Sequence, residues 1–154
     1  MAARPAPAEA RRVGSVRGKS LESALRAGIT YFGLVFAAGF VLGTLRVLLL
    51  APLIGATGAV AAELPVMLAI SWIACRRLVA AFAVPDGIAA RAVMGGTGFA
   101  LLMLAESLLG ALAFGRPLAA HVAELGTARG VLGLCGQIAF GLMPLVVRAR
   151  DGAR

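Results

Sequence analysis

The sequence predicts an all-α integral membrane protein, a four-helix bundle built from two transmembrane hairpins. Three observations predict it. Sixty per cent of residues are hydrophobic and 14% are charged, with a mean hydropathy of +0.93, whereas a soluble domain is about half apolar and a quarter charged. The apolar residues gather in four runs, at 27–50, 56–75, 92–114 and 130–147, each long enough for a helix to cross the hydrocarbon core of a bilayer. Lys and Arg gather in alternate connections between those runs.

Residues 1–22, MAARPAPAEARRVGSVRGKSLE, read as a disordered basic tail. They show no apolar periodicity and little surface to bury against the entropy of ordering. Leu21–Arg26 could prolong the first helix. A transmembrane domain is expected over 23–148, and 149–154 form a second short tail.

The first run, 27–50, carries one charge, Arg46. As a helix it rises about 36 Å, enough to span with some tilt. It is longer than the apolar core of a secretory signal and shows no persuasive cleavage site. Gly39, Gly43 and Arg46 fall on one helical face. Glycines let a second helix approach closely in lipid, so Arg46 is expected to point at protein, within this chain or in a second copy.

Pro52, Gly55 and Gly58 follow as turn residues. Arg46 and Glu63 are equidistant from the point between Ile54 and Gly55. If the chain folds back there, both charges come to one depth.

The second run carries Glu63 and Pro65. Pro65 cannot donate to the Ala61 carbonyl, so it is expected to kink this helix or mark its start. Trp72 followed by Arg76 and Arg77 reads as a membrane–water boundary. The 76–91 connection contains Pro85-Asp86-Gly87, turn chemistry in which Asp86 caps the next helix or faces water.

In the third run Glu106 is the only charge, and Gly95, Gly96 and Gly98 permit close packing. No Lys-Ser/Thr follows them, so they are no phosphate loop. In the 115–129 connection Leu118, Val122 and Leu125 suit a short amphipathic helix on the membrane surface. His121 is the single histidine and has no companions for a metal site. The fourth run sets Gly130, Gly133, Gln137, Gly141 and Pro144 on one face. This is a small-residue packing stripe with one amide in it.

Counting cations gives the orientation. Arg4, Arg11, Arg12, Arg17, Lys19 and Arg26 precede the first run, Arg76, Arg77 and Arg91 lie in the middle connection, and Arg148, Arg150 and Arg154 end the chain. The other two connections hold only Arg116 and Arg129. Both termini and the middle loop are therefore expected in the cytoplasm of a bacterial inner membrane. The net charge of +8 does not indicate nucleic acid, because the cations flank apolar runs instead of forming one patch.

Glu106 and Gln137 are symmetric about the second outer connection, as Arg46 and Glu63 are about the first. All four lie about 10–15 Å inside the outer boundary at the helical rise. A charge facing lipid costs several kcal/mol, so these groups are expected to form one buried polar layer. It could lock helices in register, line a small polar cavity open to the outer face, or meet a partner subunit.

Further chemistry is sparse. Cys75 and Cys135 fall in opposite halves, too far apart for a disulfide. No nucleophile elbow, paired-His motif or CxxC is present. No catalytic residue, metal or cofactor is expected.

Gly39–Arg46 (GFVLGTLR), Glu63-Leu64-Pro65-Val66-Met67 and Ser71-Trp72 together resemble a group of small, uncharacterised four-helix bacterial inner-membrane proteins. The resemblance covers most of 27–147; it implies the topology and no activity. Small multidrug-resistance exporters share the four-helix plan but carry a carboxylate in the first helix, where this chain has Arg46. The expectation is a structural or accessory membrane subunit. The alternative is a small proton- or cation-coupled transporter or channel-like subunit that uses Glu63 and Glu106. Its expected partners are the lipid bilayer, and a second copy or an unidentified membrane protein.

Overall fold

The computed structural model of the protein describes residues 7–115 and 117–147, with side chains from residue 18 onward except 113, 114, 118, 120 and 121. The chain is all-α. Helix α1 (Pro7–Leu45) passes through a π-helical segment (Arg46–Leu50) into α2 (Ala51–Ala81), followed by α3 (Ile88–Phe114), a short α4 (Leu118–Leu125) and α5 (Ala128–Val146). Among the described residues, three helical stretches are long and apolar enough to cross a membrane: Gly18–Ala81, Ile88–Leu112 and Ala128–Val146.

The first stretch, 64 residues long, is two rods. On a straight helix Arg46 and Glu63 would stand about 25 Å apart, but their side chains meet at 2.9 Å. Gly39 likewise faces Met67. The reversal is at Gly55, whose φ of 75° and ψ of 162° are non-helical. That region is essentially restricted to glycine.

Just before the reversal the helix widens. The Ala51 N–H donates to the Arg46 carbonyl, five residues back. Pro52 supplies the reason: it has no N–H for the Leu48 carbonyl, and its ring would crowd that carbonyl in a regular α-turn.

The helices overrun the expected boundaries. Residues 7–22, read as a disordered tail, continue α1. Their Ala, Glu and Arg are good helix formers and extend a helix already nucleated by the packed segment beyond them. The connection expected over 76–91 shrinks to residues 82–87. The expectations for residues 1–6 and 149–154, for Arg116 and Arg148, and for the His121 side chain fall outside the described residues.

Both α1 and α5 pack against α2 and α3, so the order around the bundle is α1–α2–α5–α3. The buried core lies at the end away from Gly55 and includes Ala27, Tyr31, Cys75, Val79 and Met94. There the helices touch backbone to backbone: a Cβ on Gly95 would collide with the Gly141 carbonyl, and one on Gly28 with the Met94 carbonyl.

Tyr31 ties α1 to α5 across the diagonal. Its ring stacks on Phe140 with centroids 4.2 Å apart, and its hydroxyl donates to the Phe140 carbonyl at 3.2 Å. That carbonyl lacks its usual helical donor because the residue four positions on is Pro144.

The outer surface is apolar, with Ile29, Phe40, Leu53, Val66, Leu104 and Val146 all exposed. Apolar exposure on this scale marks a surface that meets something other than water.

Candidate functional site

Toward the Gly55 end the rods separate and enclose a cavity of about 790 Å³. Its lining includes Arg46, Glu63, Glu106 and Gln137, drawn from the π segment, α2, α3 and α5.

Each of these side chains is placed by its local backbone. Arg46 opens the π segment, and a Cβ on Gly43 would lie 3.7 Å from its Nη2. The missing side chain at 43 is the room in which the guanidinium rests. Arg46 Nε lies 2.9 Å from Glu63 Oε2. Neither atom makes an aligned hydrogen bond, so the pair is held by charge more than by hydrogen-bond geometry. Gln137 Nε2 donates to Glu106 Oε2, while Gln137 Oε1 is covered and has no hydrogen-bond partner.

Gly136 and Leu64, the chain neighbours of Gln137 and Glu63, touch where α5 meets α2. Following the order of the bundle, the four polar residues run Arg46, Glu63, Gln137, Glu106 around one cavity.

The mouth is shaped by the α4–α5 turn. Thr127 caps α5, accepting from the Gly130 N–H at 3.2 Å, and donates to the Glu124 carbonyl at 2.7 Å. A threonine at this position supplies an acceptor for an otherwise unpaired helix-start N–H. It starts α5 at Ala128 instead of the expected Gly130. Arg129 pairs with Glu124 at 2.8 Å. Helix α4 forms over the segment whose leucines suggested one. At the other end the cavity stops on Val35, Ser71, Leu102 and Phe140, above the Tyr31–Phe140 stack.

The glycines and prolines singled out in the sequence occupy different settings. Gly39 faces Met67, Gly141 lies under Phe99, and Gly130 sits on the Glu124 carbonyl. Gly133 fronts open space on the cavity wall, where an added Cβ would meet no neighbour. Pro65 is exposed within α2. The only non-helical backbone in that helix is at Gly55, so Pro65 sits inside the helix and does not mark its start. Its missing donor is tolerated on a face turned away from the bundle. Cys75 is buried, Cys135 is exposed, and both are free thiols.

Arg91 departs from the sequence reading, whereas Asp86 takes the second of its two expected settings and faces water. Arg91, counted there as a loop cation, is buried. It donates to the Pro85 carbonyl at 3.0 Å and the Val147 carbonyl at 3.1 Å, and pairs with Asp86. Asp86 caps no helix; the N-cap of α3 is Gly87, without a side-chain hydrogen bond. The guanidinium ties the middle connection to the end of α5, satisfying carbonyls that a chain turning away from a helix leaves open.

Sequence reasoning also passed over Tyr31. A signal was available: Pro144 frees the carbonyl four residues before it, and a buried free carbonyl needs a donor. The single tyrosine of the chain is one.

No protein-family model matches the chain, and no curated protein or solved structure is significantly similar to it. The resemblance to small four-helix inner-membrane proteins therefore rests on the quoted residues, and the common ground with that group is a helical chain with three candidate membrane spans.

Proposed function

We propose that the chain is a multi-pass inner-membrane protein with a solute-binding vestibule open to the outer face. This is the part of a small transporter or receptor-like subunit, with Glu63 and Glu106 in the binding layer. On this reading the Gly18–Ala81 stretch crosses twice, giving four crossings, with both termini and the 82–87 connection in the cytoplasm. The cation distribution supports that orientation: Arg76, Arg77 and Arg91 lie toward the packed end, and the Gly55 reversal carries no Lys or Arg after Arg46 until position 76. No catalytic role is proposed.

One observation carries the reading. Arg46, Glu63, Glu106 and Gln137 line open space of about 790 Å³. Polar groups that served only to lock helices would be packed shut, as the Tyr31 end is, because an unfilled polar cavity forgoes both packing and hydrogen bonds.

The second reading, a structural or accessory subunit held by its polar layer, is favoured by the Arg46–Glu63 contact, which joins the two rods of the first hairpin.

Thiol labelling separates the two. Gly133 has room for a side chain, so Gly133→Cys in a Cys135→Ser background puts a thiol on the cavity wall. Gly33→Cys, on an exposed face of α1, is the lipid-facing control. In intact spheroplasts a membrane-impermeant maleimide is expected to modify Gly133→Cys and spare Gly33→Cys. If the Gly133→Cys thiol reacts only after denaturation, the vestibule is closed and the structural reading takes its place.

A further inference from the structure

The chamber is as deep as one leaflet of a bilayer. Along α5 its lining runs from Gly130 to Phe140, about 15 Å at the helical rise. That is half of a hydrocarbon core roughly 30 Å thick. Its mouth, at Arg129 and Glu124, stands at the start of the α5 stretch that is apolar enough to cross a membrane.

The polar side chains of the lining are turned toward partners in the protein. Thr44 and Ser107 each have one O–H to give. They give it to their own helices, to the Phe40 and Met103 carbonyls, each at 2.8 Å. Arg46 is paired with Glu63 and Arg129 with Glu124, and the Gln137 amide donates to Glu106. Arg46 Nε, Glu63 Oε2 and Gln137 Oε1 are covered by neighbouring atoms. On both sides of this layer the lining is apolar. Val60, Leu109 and Leu134 lie toward the Gly55 end, and Phe36, Leu68 and Leu102 toward the Tyr31 end. A hydrophilic solute lying the length of the chamber would lose water along those walls and find few partners in exchange. An alkyl chain loses nothing there, and it fills the space that the separated rods leave.

One wall of the chamber is low. Phe40, Val47 and Leu48, on α1 and the π segment, line it yet are 58%, 61% and 66% exposed. Along the same hairpin they continue into Leu49, Leu53 and Ile54, which are exposed and apolar. The chamber thus shares an apolar edge with the surface that meets lipid. A lipid beside that edge can lay one chain across it without drawing its head out of the interface.

We infer that the chamber takes one acyl chain of a lipid from the leaflet on the Gly55 side. The chain enters over the edge at Phe40 and Leu48, lies against Leu68, Leu102 and Leu134, and ends at Phe140. Its head group stays at the level of Arg129 and Glu124. It exchanges with bulk lipid, so small aqueous reagents still reach the wall at Gly133. This rests on the reading of the chamber as an open vestibule and names its occupant.

Full-length protein with its single tryptophan removed by Trp72→Phe receives Leu68→Trp, on the chamber wall, or Leu104→Trp, on the outer surface. Fluorescence is read in nanodiscs of phosphatidylcholine brominated at mid-chain, and in ordinary phosphatidylcholine with iodide in the water. In the bromolipid Leu68→Trp should be quenched at least about half as strongly as Leu104→Trp, with iodide several-fold weaker. Adding Gly133→Leu, which occupies chamber space, should cut the bromine quenching of Leu68→Trp by about half and leave that of Leu104→Trp unchanged. Leu134→Trp, on the α5 wall, repeats the measurement if Leu68→Trp folds poorly.

Iodide quenching the chamber tryptophan as strongly as the bromolipid, or more, means a water-filled chamber. The acyl-chain assignment then falls and the vestibule stands. Bromine quenching that Gly133→Leu leaves untouched comes through the wall, and overturns the assignment as well. A chamber tryptophan reached by neither quencher means a closed chamber, and both readings fall.

Discussion

The two ends of the bundle are built from the same kinds of residue and behave in opposite ways. Around Tyr31 the helices meet at backbone distance, with glycines at 28 and 95 accepting a carbonyl from the neighbouring helix. Around Glu63 the same four rods stand apart and enclose a cavity, and a glycine there, Gly133, faces nothing. In lipid there is little hydrophobic force between helices, so closeness comes from surface fit and from hydrogen bonds. Glycine draws helices together only where the opposite helix presents a backbone or a ring to fill its notch. Where long polar side chains stand opposite one another, the rods are propped open and a glycine becomes wall.

The largest effect is expected where that contrast is sharpest. Gly95→Leu drives a side chain into the Gly141 carbonyl and against Pro144. Because two backbones must separate, the cost should reach or exceed the upper end of overpacking penalties, about 3 kcal/mol. The measurement is the yield of monodisperse protein after detergent extraction, with the apparent Tm of whatever survives. A well-folded Gly95→Leu protein would mean the packed end is no tighter than the open one.

Next comes the clamp at the packed end. Arg91→Ala removes the donor for the Pro85 and Val147 carbonyls and the partner of Asp86. Charged hydrogen bonds of this kind contribute about 1.5–3 kcal/mol each, and water reaching the connection recovers part of that. A net loss of about 3 kcal/mol is expected by reversible denaturation, with α5 fraying first in hydrogen exchange. Arg91→Lys should recover only part of it, since one ammonium cannot reproduce the planar fork that spans three acceptors. Full recovery by lysine would reduce the clamp to a simple charge effect.

Tyr31→Phe is a smaller change in the same region. The ring keeps its stack on Phe140 and loses a hydroxyl that donates to a carbonyl already deprived of its helical partner by Pro144 and lies 3.6 Å from the Met143 sulfur. The expected cost is about 1–2 kcal/mol. A double variant, Tyr31→Phe with Pro144→Ala, should recover most of it, because alanine at position 144 brings back the N–H. Additive losses would show that the hydroxyl and the proline are unconnected.

The open end was more legible in the sequence than the packed end, for a physical reason. Arg46 and Glu63 are costly in lipid, so each needs a partner. With one turn between them, their equal distance from Gly55 is enough to bring them together. Glu106 and Gln137 follow the same logic across the connection that holds α4.

The packed end depends on pairs that no spacing reveals. Arg91 reaches Val147 on another helix, and Gly28 matters because of what Met94 presents to it. The stripe through Gly130, Gly133 and Gly141 marks one helical face correctly as a matter of periodicity. It cannot say that α2 and α3 close on one part of that face and withdraw from another. The π segment escaped notice because it arises from Pro52 acting backward along the chain, while the turn residues drew attention forward to Gly55.

The smallest effect on stability is also the sharpest test of the contrast. Gly133→Leu is the same chemical change as the one expected to wreck the fold at Gly95, and only the setting differs. Here the added side chain enters open space. Stability should stay within about 0.5 kcal/mol of the parent, or rise slightly, because leucine is the better helix former and fills part of a void. The cavity should nonetheless lose its function as a chamber: a thiol placed deeper, as in Leu68→Cys with Cys135→Ser, should react several-fold more slowly with water-soluble maleimide once Gly133→Leu is added. Retained stability with slowed access would establish that the Gly55 half of the bundle is standing room by construction. A strong loss of stability would mean that the rods close there in the membrane and that both ends obey one packing rule.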